Sequence, residues 1–253
     1  MNEPGIAKTM ELLGIRVHSL TKGALIEKIA EFAVSGNRKR ISYINAHCVN
    51  TACRDGEYKA ALNRSDIVYA DGMSVVWAAL FMGRPLPQRV NIIGFLDDIF
   101  RRLEQDRTTL YLLGGREAAV RGAARYIGSN FPDMKICGFH NGYFTDKEES
   151  DIINEINSHK PDILIVGLGV PYQEKWINSH LDALDAHLCL SAGAMFDYIS
   201  GLAKKAPTWM CDTGLEWLYR LNQEPGRLWR RYLLGNPVFI YRVIAWKIRD
   251  LFF

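Results

Sequence analysis

Short β-branched runs alternate with helix-like segments through the first 200 residues, and this alternation restricts the fold more than any other feature. The predicted strands are apolar almost throughout: Arg40–Asn45, Asp66–Tyr69, Thr109–Leu113, Lys135–Phe139, Asp162–Val166 and His187–Ser191. Helix candidates lie between them, near 22–34, 54–64, 74–82, 95–106, 116–129, 146–158 and 172–184. Alternating βα units with apolar strands predict an α/β fold whose mostly parallel sheet has helices on both faces.

The pattern changes after Gly201, where only helical periodicity remains. Asn236 and Pro237 predict the start of the last helix, with Asn236 as its N-cap and the proline in its first turn. Six apolar side chains of that helix share one side: Ile240, Tyr241, Ile244, Ile248, Leu251 and Phe252. We therefore expect a core over residues 1–200 and an all-helical appendage over residues 201–253.

The charge of the chain is concentrated in this appendage. Residues 201–253 hold nine Lys and Arg against four Asp and Glu, together with four of the six Trp, although the whole chain is only +3. A net charge this small argues against a dedicated nucleic-acid binder. Basic and aromatic residues interleaved on a helix too short to span a bilayer are typical of a surface that docks on anionic membranes.

Cysteines and the N-terminus indicate the compartment. The five cysteines are an odd number without metal-ligand spacing, which predicts free thiols rather than a zinc site. The first residues, MNEPGIAKTM, do not form the basic start and apolar run of a signal peptide. We expect a cytoplasmic protein that is peripheral to the inner face of the cell membrane.

Polar residues follow two of the predicted strands directly. Asp71 lies in an Asp-Gly turn after one strand, and Asn45 and His47 follow another. Ligands of open α/β sheets bind beyond the carboxyl ends of the strands, where a carboxylate can act as a general base. A turn aspartate and a structural histidine are the alternatives at these positions.

Glycines mark two further strand ends. Gly167 and Gly169 begin a segment in which the backbone could approach a ligand, but Tyr172 stands where a dinucleotide fingerprint has its third glycine. Gly114 follows another strand and is equally compatible with a plain turn. Since no two aspartates are spaced D-x-D, a bound diphosphate would be neutralised by arginines and helix ends. We therefore expect a metal-independent site without a cofactor.

Several sequence blocks resemble one family over nearly the whole chain. They are Asn45-Ala-His, Asp66-Ile-Val-Tyr-Ala-Asp71-Gly-Met-Ser-Val-Val, Gly167-Leu-Gly-Val-Pro-Tyr-Gln173-Glu-Lys-Trp, Lys205-Ala-Pro-Thr-Trp, Gly214-Leu-Glu-Trp-Leu-Tyr-Arg220, Glu224-Pro and Arg231-Tyr-Leu-Leu-Gly-Asn-Pro237. In this order and spacing the chain resembles the WecG/TagA/CpsF family of bacterial glycosyltransferases.

The resemblance implies a Rossmann-like core, a helical C-terminal appendage and inverting transfer of a hexose. The donor would be a UDP-sugar of N-acetylmannosamine, its uronic acid or a related sugar, and the acceptor a saccharide on undecaprenyl diphosphate. It places the general base on Asp71. It places the substrate contacts on Arg89, on Gln173 with Glu174 beside it, and on the appendage residues Arg220, Arg227 and Arg231.

Two functions of other classes compete with this interpretation. A nucleotide-cofactor oxidoreductase would need a complete glycine fingerprint, and a non-catalytic membrane-docking protein would use the appendage alone. A transferase with a soluble acceptor would leave the appendage without a purpose. The sequence does not identify the sugar, and it leaves association into a homo-oligomer open.

Overall fold

The computed structural model describes residues 8–252, so residues 1–7 of the predicted core and residue 253 of the predicted appendage lie outside the described residues. Its strands are β1 (Thr9–Leu12), β2 (Ile15–His18), β3 (Lys39–Ile44), β4 (Ile67–Ala70), β5 (Thr109–Gly114), β6 (Lys135–His140), β7 (Ile163–Gly167) and β8 (Leu188–Ser191). Six of them form one parallel sheet in the order β4-β3-β8-β7-β5-β6. All six were predicted to within one residue at each end.

Helices connect these strands. They are α1 (Lys22–Val34), α2 (Ala46–Ala52), α3 (Gly56–Arg64), α4 (Met73–Phe81), α5 (Leu96–Gln105), α6 (Glu117–Asn130), α7 (Asp146–His159), α8 (Tyr172–His180) and α9 (Met195–Ile199). The sequence predicted all of them except α2 and α9, which are seven and five residues long. The helix predicted over 172–184 ends early, at His180.

Both faces of the sheet are buried, as the apolar strands predicted. Alternate residues of β7 point to opposite sides. Ile163 and Ile165 join the core under α1, α5, α6 and α9, whereas Leu164 and Val166 pack toward α7 and α8. The second face continues at the β3–β4 edge, where α2, α3 and α4 cover it. The fold is therefore α/β and Rossmann-like, with helices on both faces.

An N-terminal hairpin was not predicted. β1 and β2 pair antiparallel through a turn at Leu13 and Gly14, both with positive φ. The hairpin packs beside β4, where the Val68 N–H donates to His18 Nδ1 at 3.0 Å. It thereby covers the edge of the core next to the strand that leads to Asp71.

Only helices follow residue 200 in the described chain: α10 (Thr208–Asp212), α11 (Glu216–Gln223), α12 (Pro225–Trp229), a π-helical turn (Arg230–Leu234) and α13 (Gly235–Phe252). The prediction that Asn236 caps a new helix is wrong, because α13 continues directly from the π-helical turn. That wider turn precedes Pro237, which has no N–H to donate to the preceding turn.

The last helix docks on the core. Phe239 and Val243 are buried in the cluster beneath α2 and α4. Arg242 Nη1 donates to the backbone and side-chain oxygens of Asn50, each at 2.9 Å, and Asn50 donates to the Gly235 carbonyl at 2.7 Å. Within residues 8–252, α13 and every other helix fall short of the length and apolarity needed to cross a membrane.

Candidate active site

Asn45 and Asp71 lie side by side because their strands are neighbours. Ile44 of β3 pairs with Ala70 of β4, so the residue after each strand emerges at the same edge. The Asp71 N–H donates to the Ile44 carbonyl at 3.0 Å, and Asn45 Oδ1 caps α2 by accepting from the His47 N–H at 3.0 Å. A Cβ on Gly72 would come within 2.9 Å of the Asn45 Cβ. The glycine is thus needed for these two turns to approach.

A cavity of about 650 Å³ opens at this edge, between the core and the appendage. Six of the predicted site residues line it: Asn45, His47, Asp71, Arg89, Arg220 and Arg231. Burial raises the pKa of the Asp71 carboxyl to about 6; the charges of Arg89, Arg220 and Arg231 oppose this rise, whereas Glu216 adds to it. The site therefore holds a carboxylate that takes up a proton close to neutral pH, as a general base requires.

Arg89 joins the core to the appendage. Its Nε donates to the Asp71 carbonyl at 2.6 Å, its Nη1 donates to the Cys211 carbonyl at 3.1 Å, and its Nη2 forms an ion pair with Glu216. The sequence predicted a substrate contact for Arg89. In this structure its guanidinium is held by the protein, and it fixes the backbone of Asp71 beneath α11.

His47 and Arg231 separate this cavity from a second one of about 580 Å³, because both residues line the two cavities. The second cavity is strongly basic, with Arg54, Arg227 and Arg230 in its walls. Burial and the charge of Arg231 lower the pKa of His47 to about 4, so the imidazole is neutral at physiological pH. The buried Nε of Arg231 has no hydrogen-bond partner within residues 8–252, as expected of a donor kept for an anionic ligand.

The three predicted glycines line neither cavity. Gly114 and Gly167 are paired across β5 and β7, and a Cβ on Gly114 would come within 2.4 Å of the Gly167 backbone. A Cβ on Gly167 would come within 2.9 Å of the Phe196 ring, and Gly169 forms a turn with φ +81°. Tight packing between strands and helix explains Gly114 and Gly167.

Gln173 and Glu174 are buried beneath the strand ends, outside both cavities. Gln173 Oε1 accepts from the Gly193 N–H at 2.9 Å and the Gly169 N–H at 3.3 Å, so it joins the loops after β7 and β8. Gln173 Nε2 donates to Glu174 Oε1 at 2.7 Å. The pair, predicted as substrate contacts, fixes these two loops in the structure.

Glu174→Gln is expected to remove a pH dependence of stability. Burial raises the pKa of the Glu174 carboxyl from 4.5 to about 8. Because the folded-state pKa lies above the unfolded one, the stabilisation from the protonated form is lost as pH rises through 8. Between pH 7 and 9 the free energy of unfolding is expected to fall by on the order of 1 kcal/mol. Urea unfolding at the two pH values measures it; an equal pH dependence in Glu174→Gln would contradict the assignment.

Three residues that shape the cavity were not among the predicted site residues. Glu216 pairs with Arg89, and Trp77 and Phe81 of α4 form part of an apolar wall. Glu216 lies 127 residues from Arg89, and the pattern of α4 places Trp77 and Phe81 on a helix without indicating what they face. Among residues 8–252, no group of three or more His, Cys, Asp or Glu is placed to hold a metal ion.

Known proteins resemble the chain along almost its entire length. The profile of the glycosyl transferase WecG/TagA/CpsF family matches residues 10–251. An N-acetylglucosaminyldiphosphoundecaprenol N-acetyl-beta-D-mannosaminyltransferase of Bacillus subtilis (strain 168) is 32% identical over 208 residues, covering 81% of this chain and 78% of the relative. A protein of the same name from Staphylococcus aureus (strain MW2) is 28% identical over 240 residues, covering 94% and 93%.

Proposed function

The chain belongs to the WecG/TagA/CpsF family of glycosyltransferases, and we propose that it moves an N-acetylmannosamine-type hexose from a UDP-sugar to a saccharide on undecaprenyl diphosphate. The activity for which the relatives are named supports this acceptor and this class of sugar. The observation that supports the chemistry is the cavity in which Asp71 faces Arg220 and Arg231 beside an apolar wall. Membership in a glycosyltransferase family removes the oxidoreductase and the non-catalytic docking protein as alternatives.

The proposed mechanism is a single inverting displacement with Asp71 as base. The acceptor hydroxyl attacks the anomeric carbon from the face opposite UDP, and its proton passes to the Asp71 carboxylate. The bond from the anomeric carbon to the β-phosphate oxygen breaks, and its electron pair leaves with UDP. Arg220 and Arg231 line the same cavity and supply preorganised positive charge for that leaving group.

Metal-independence belongs to this proposal because arginines supply the positive charge beside Asp71. A divalent ion on a nucleotide diphosphate would need carboxylate ligands, and Asp71 is needed to accept the proton. Guanidinium groups bind phosphate oxygens through paired N–H donors. Arg220 and Arg231 therefore take the place that a metal ion has in D-x-D glycosyltransferases.

Attachment to the inner face of the membrane is part of the proposal. Exposed apolar side chains from α4 and α13 lie on the surface of the protein, among them Leu80, Tyr241 and Ile248. Lys247 and Arg249 lie on the same helix α13. Each basic residue near anionic lipid contributes about 1 kcal/mol of attraction. Apolar burial and charge together favour reversible binding to the bilayer that holds the acceptor.

A donor screen tests the proposed function. UDP release is measured from UDP-sugars of N-acetylmannosamine, N-acetylmannosaminuronic acid, N-acetylglucosamine and glucose, with a short-chain N-acetylglucosaminyl diphosphate lipid as acceptor. We expect an acceptor-dependent release with a mannosamine-type donor, at the same rate with and without EDTA. If none of the donors in the panel gave acceptor-dependent UDP release, the proposed function would be contradicted. A lower rate in EDTA would contradict the metal-independent site.

Glu216→Gln is expected to move the acid limb of the pH–rate profile to lower pH. Asp71 must be ionised to act as base, so kcat/KM should fall below pH 6, near its pKa of about 6. The negative charge of Glu216 raises that pKa, and removing it favours the carboxylate. Glu224→Gln is the matched control, because Glu224 pairs with Arg227 and does not line the Asp71 cavity. A limb that stays in place or moves to higher pH would exclude Asp71 as the titrating base.

A further inference from the structure

The Asp71 cavity has an apolar wall built from two helices. α4 contributes Trp77 and Phe81, and α13 contributes Ile240 and Ile244. These side chains are 44–56% exposed. Large apolar groups left open to water along one side of a cavity indicate that another apolar group covers them when the site is in use. α4 begins at Met73, two residues after Asp71, and ends at Phe81, so this wall extends away from the Asp71 side of the cavity along the length of α4.

The core and the appendage form this wall jointly. Lys247 Nζ of α13 lies 4.3 Å from the centre of the Phe81 ring. A Cβ on Gly214 of the appendage would come within 2.7 Å of Trp77 Cη2, so the loop before α11 packs directly on this indole. The space between α4 and α13 is thus a trough that exists only while the appendage is docked. It leads from Asp71 to the exposed apolar surface.

We propose that the α4–α13 trough binds the first isoprenoid units of the acceptor, an inference that rests on the proposed function. A polyprenyl diphosphate joins an anionic head to an apolar chain, and the cavity has arginines at one end and this trough at the other. The head lies toward the arginines, and the chain runs between Phe81 and Ile244 to the protein surface. The enzyme therefore recognises the lipid itself, in addition to attaching to the bilayer around it.

Attachment to a bilayer alone makes a different prediction for neighbouring residues. Leu80 of α4 and Ile248 of α13 are 64% and 52% exposed, but neither lines the cavity. Phe81 and Ile244 are 47% and 44% exposed and line it. A patch that only contacts the bilayer would involve all four side chains, whereas binding of a prenyl chain in the trough would involve only Phe81 and Ile244.

Prenyl diphosphates without a sugar test the trough directly. Binding of farnesyl diphosphate and of inorganic diphosphate is measured by calorimetry in buffer free of lipid and detergent. We expect the full-length protein to bind farnesyl diphosphate at least about tenfold more tightly than inorganic diphosphate. Phe81→Ser and Ile244→Ser should each lower the affinity for farnesyl diphosphate about tenfold and leave the affinity for inorganic diphosphate unchanged.

Leu80→Ser and Ile248→Ser are the matched controls, and they should keep the affinity for farnesyl diphosphate. An equal loss of affinity for farnesyl diphosphate in these controls would overturn the proposal that the trough binds the prenyl chain. Equal affinity of the unmodified protein for the two diphosphates would overturn it as well. Thermal unfolding of all four variants establishes that each is folded. Because this binding experiment involves no sugar transfer, its result is independent of the donor screen. Sugar transfer in the donor screen, without tighter binding of farnesyl diphosphate, would exclude the proposed role of the trough and support the proposed function.

Discussion

Asp71→Asn is expected to lower kcat for sugar transfer by about 10²- to 10⁴-fold, the range that a positioned general base contributes. Asparagine has nearly the same shape but cannot accept the proton of the acceptor hydroxyl. The fold should survive, because the backbone hydrogen bond from Asp71 to Ile44 does not involve the side chain. The remaining rate should also lose its acid limb near pH 6, since no other carboxylate takes over the proton.

Stability separates this loss from unfolding. Burial raises the pKa of Asp71 to about 6, so the folded protein disfavours the ionised carboxylate relative to the unfolded chain. At pH 8, Asp71→Asn should therefore have an unchanged or raised Tm, as is common where active sites give up stability for function. Asp98→Asn, at a surface ion pair outside the cavity, is the control and should keep full activity. A variant that keeps more than a tenth of the rate would exclude Asp71 as base.

The sequence was sufficient to predict the sheet and the edge at which the site forms. Continuous apolar strands separated by helical periodicity determine a parallel sheet, and neighbouring strand ends bring Asn45 and Asp71 together. The β1–β2 hairpin was missed because its turn is Leu13-Gly14. Turns with two positive φ values usually carry Asn-Gly or Asp-Gly, so no turn signal was present.

The remainder of the site depends on contacts distant in sequence. The sequence could not show that Arg89 would pair with Glu216 of the appendage, nor that α13 would lie beside Phe81. Both contacts depend on how the appendage packs, and helical periodicity does not specify the partner of a helix. Strand-end reasoning also grouped Gly167 with the ligand contacts, and the family resemblance added Gln173. In the structure Gly167 packs against Phe196, and Gln173 connects the loops after β7 and β8.

Removing the arginines that face Asp71 is expected to have the second large effect. Arg220→Ala and Arg231→Ala should each lower kcat by about 10²- to 10³-fold, because each removes a donor that stabilises charge on the departing UDP. Arg220 stacks on Tyr198, with 5.7 Å between guanidinium and ring centre, so its position is fixed before the ligand arrives. Lysine at either position should restore only part of the rate, because an ammonium lacks the paired donors that match a phosphate.

The pH profile distinguishes this electrostatic role from a purely structural one. Arg220 and Arg231 both lower the pKa of Asp71, so their removal should shift the acid limb of kcat/KM to higher pH, opposite to Glu216→Gln. Arg249→Ala, which removes an exposed charge stacked on Trp246 at 4.4 Å, should change neither the rate with a short-chain acceptor nor the limb. A fall in rate without this upward shift would mean that the arginines hold the appendage in place and do not act on the charges of the reaction.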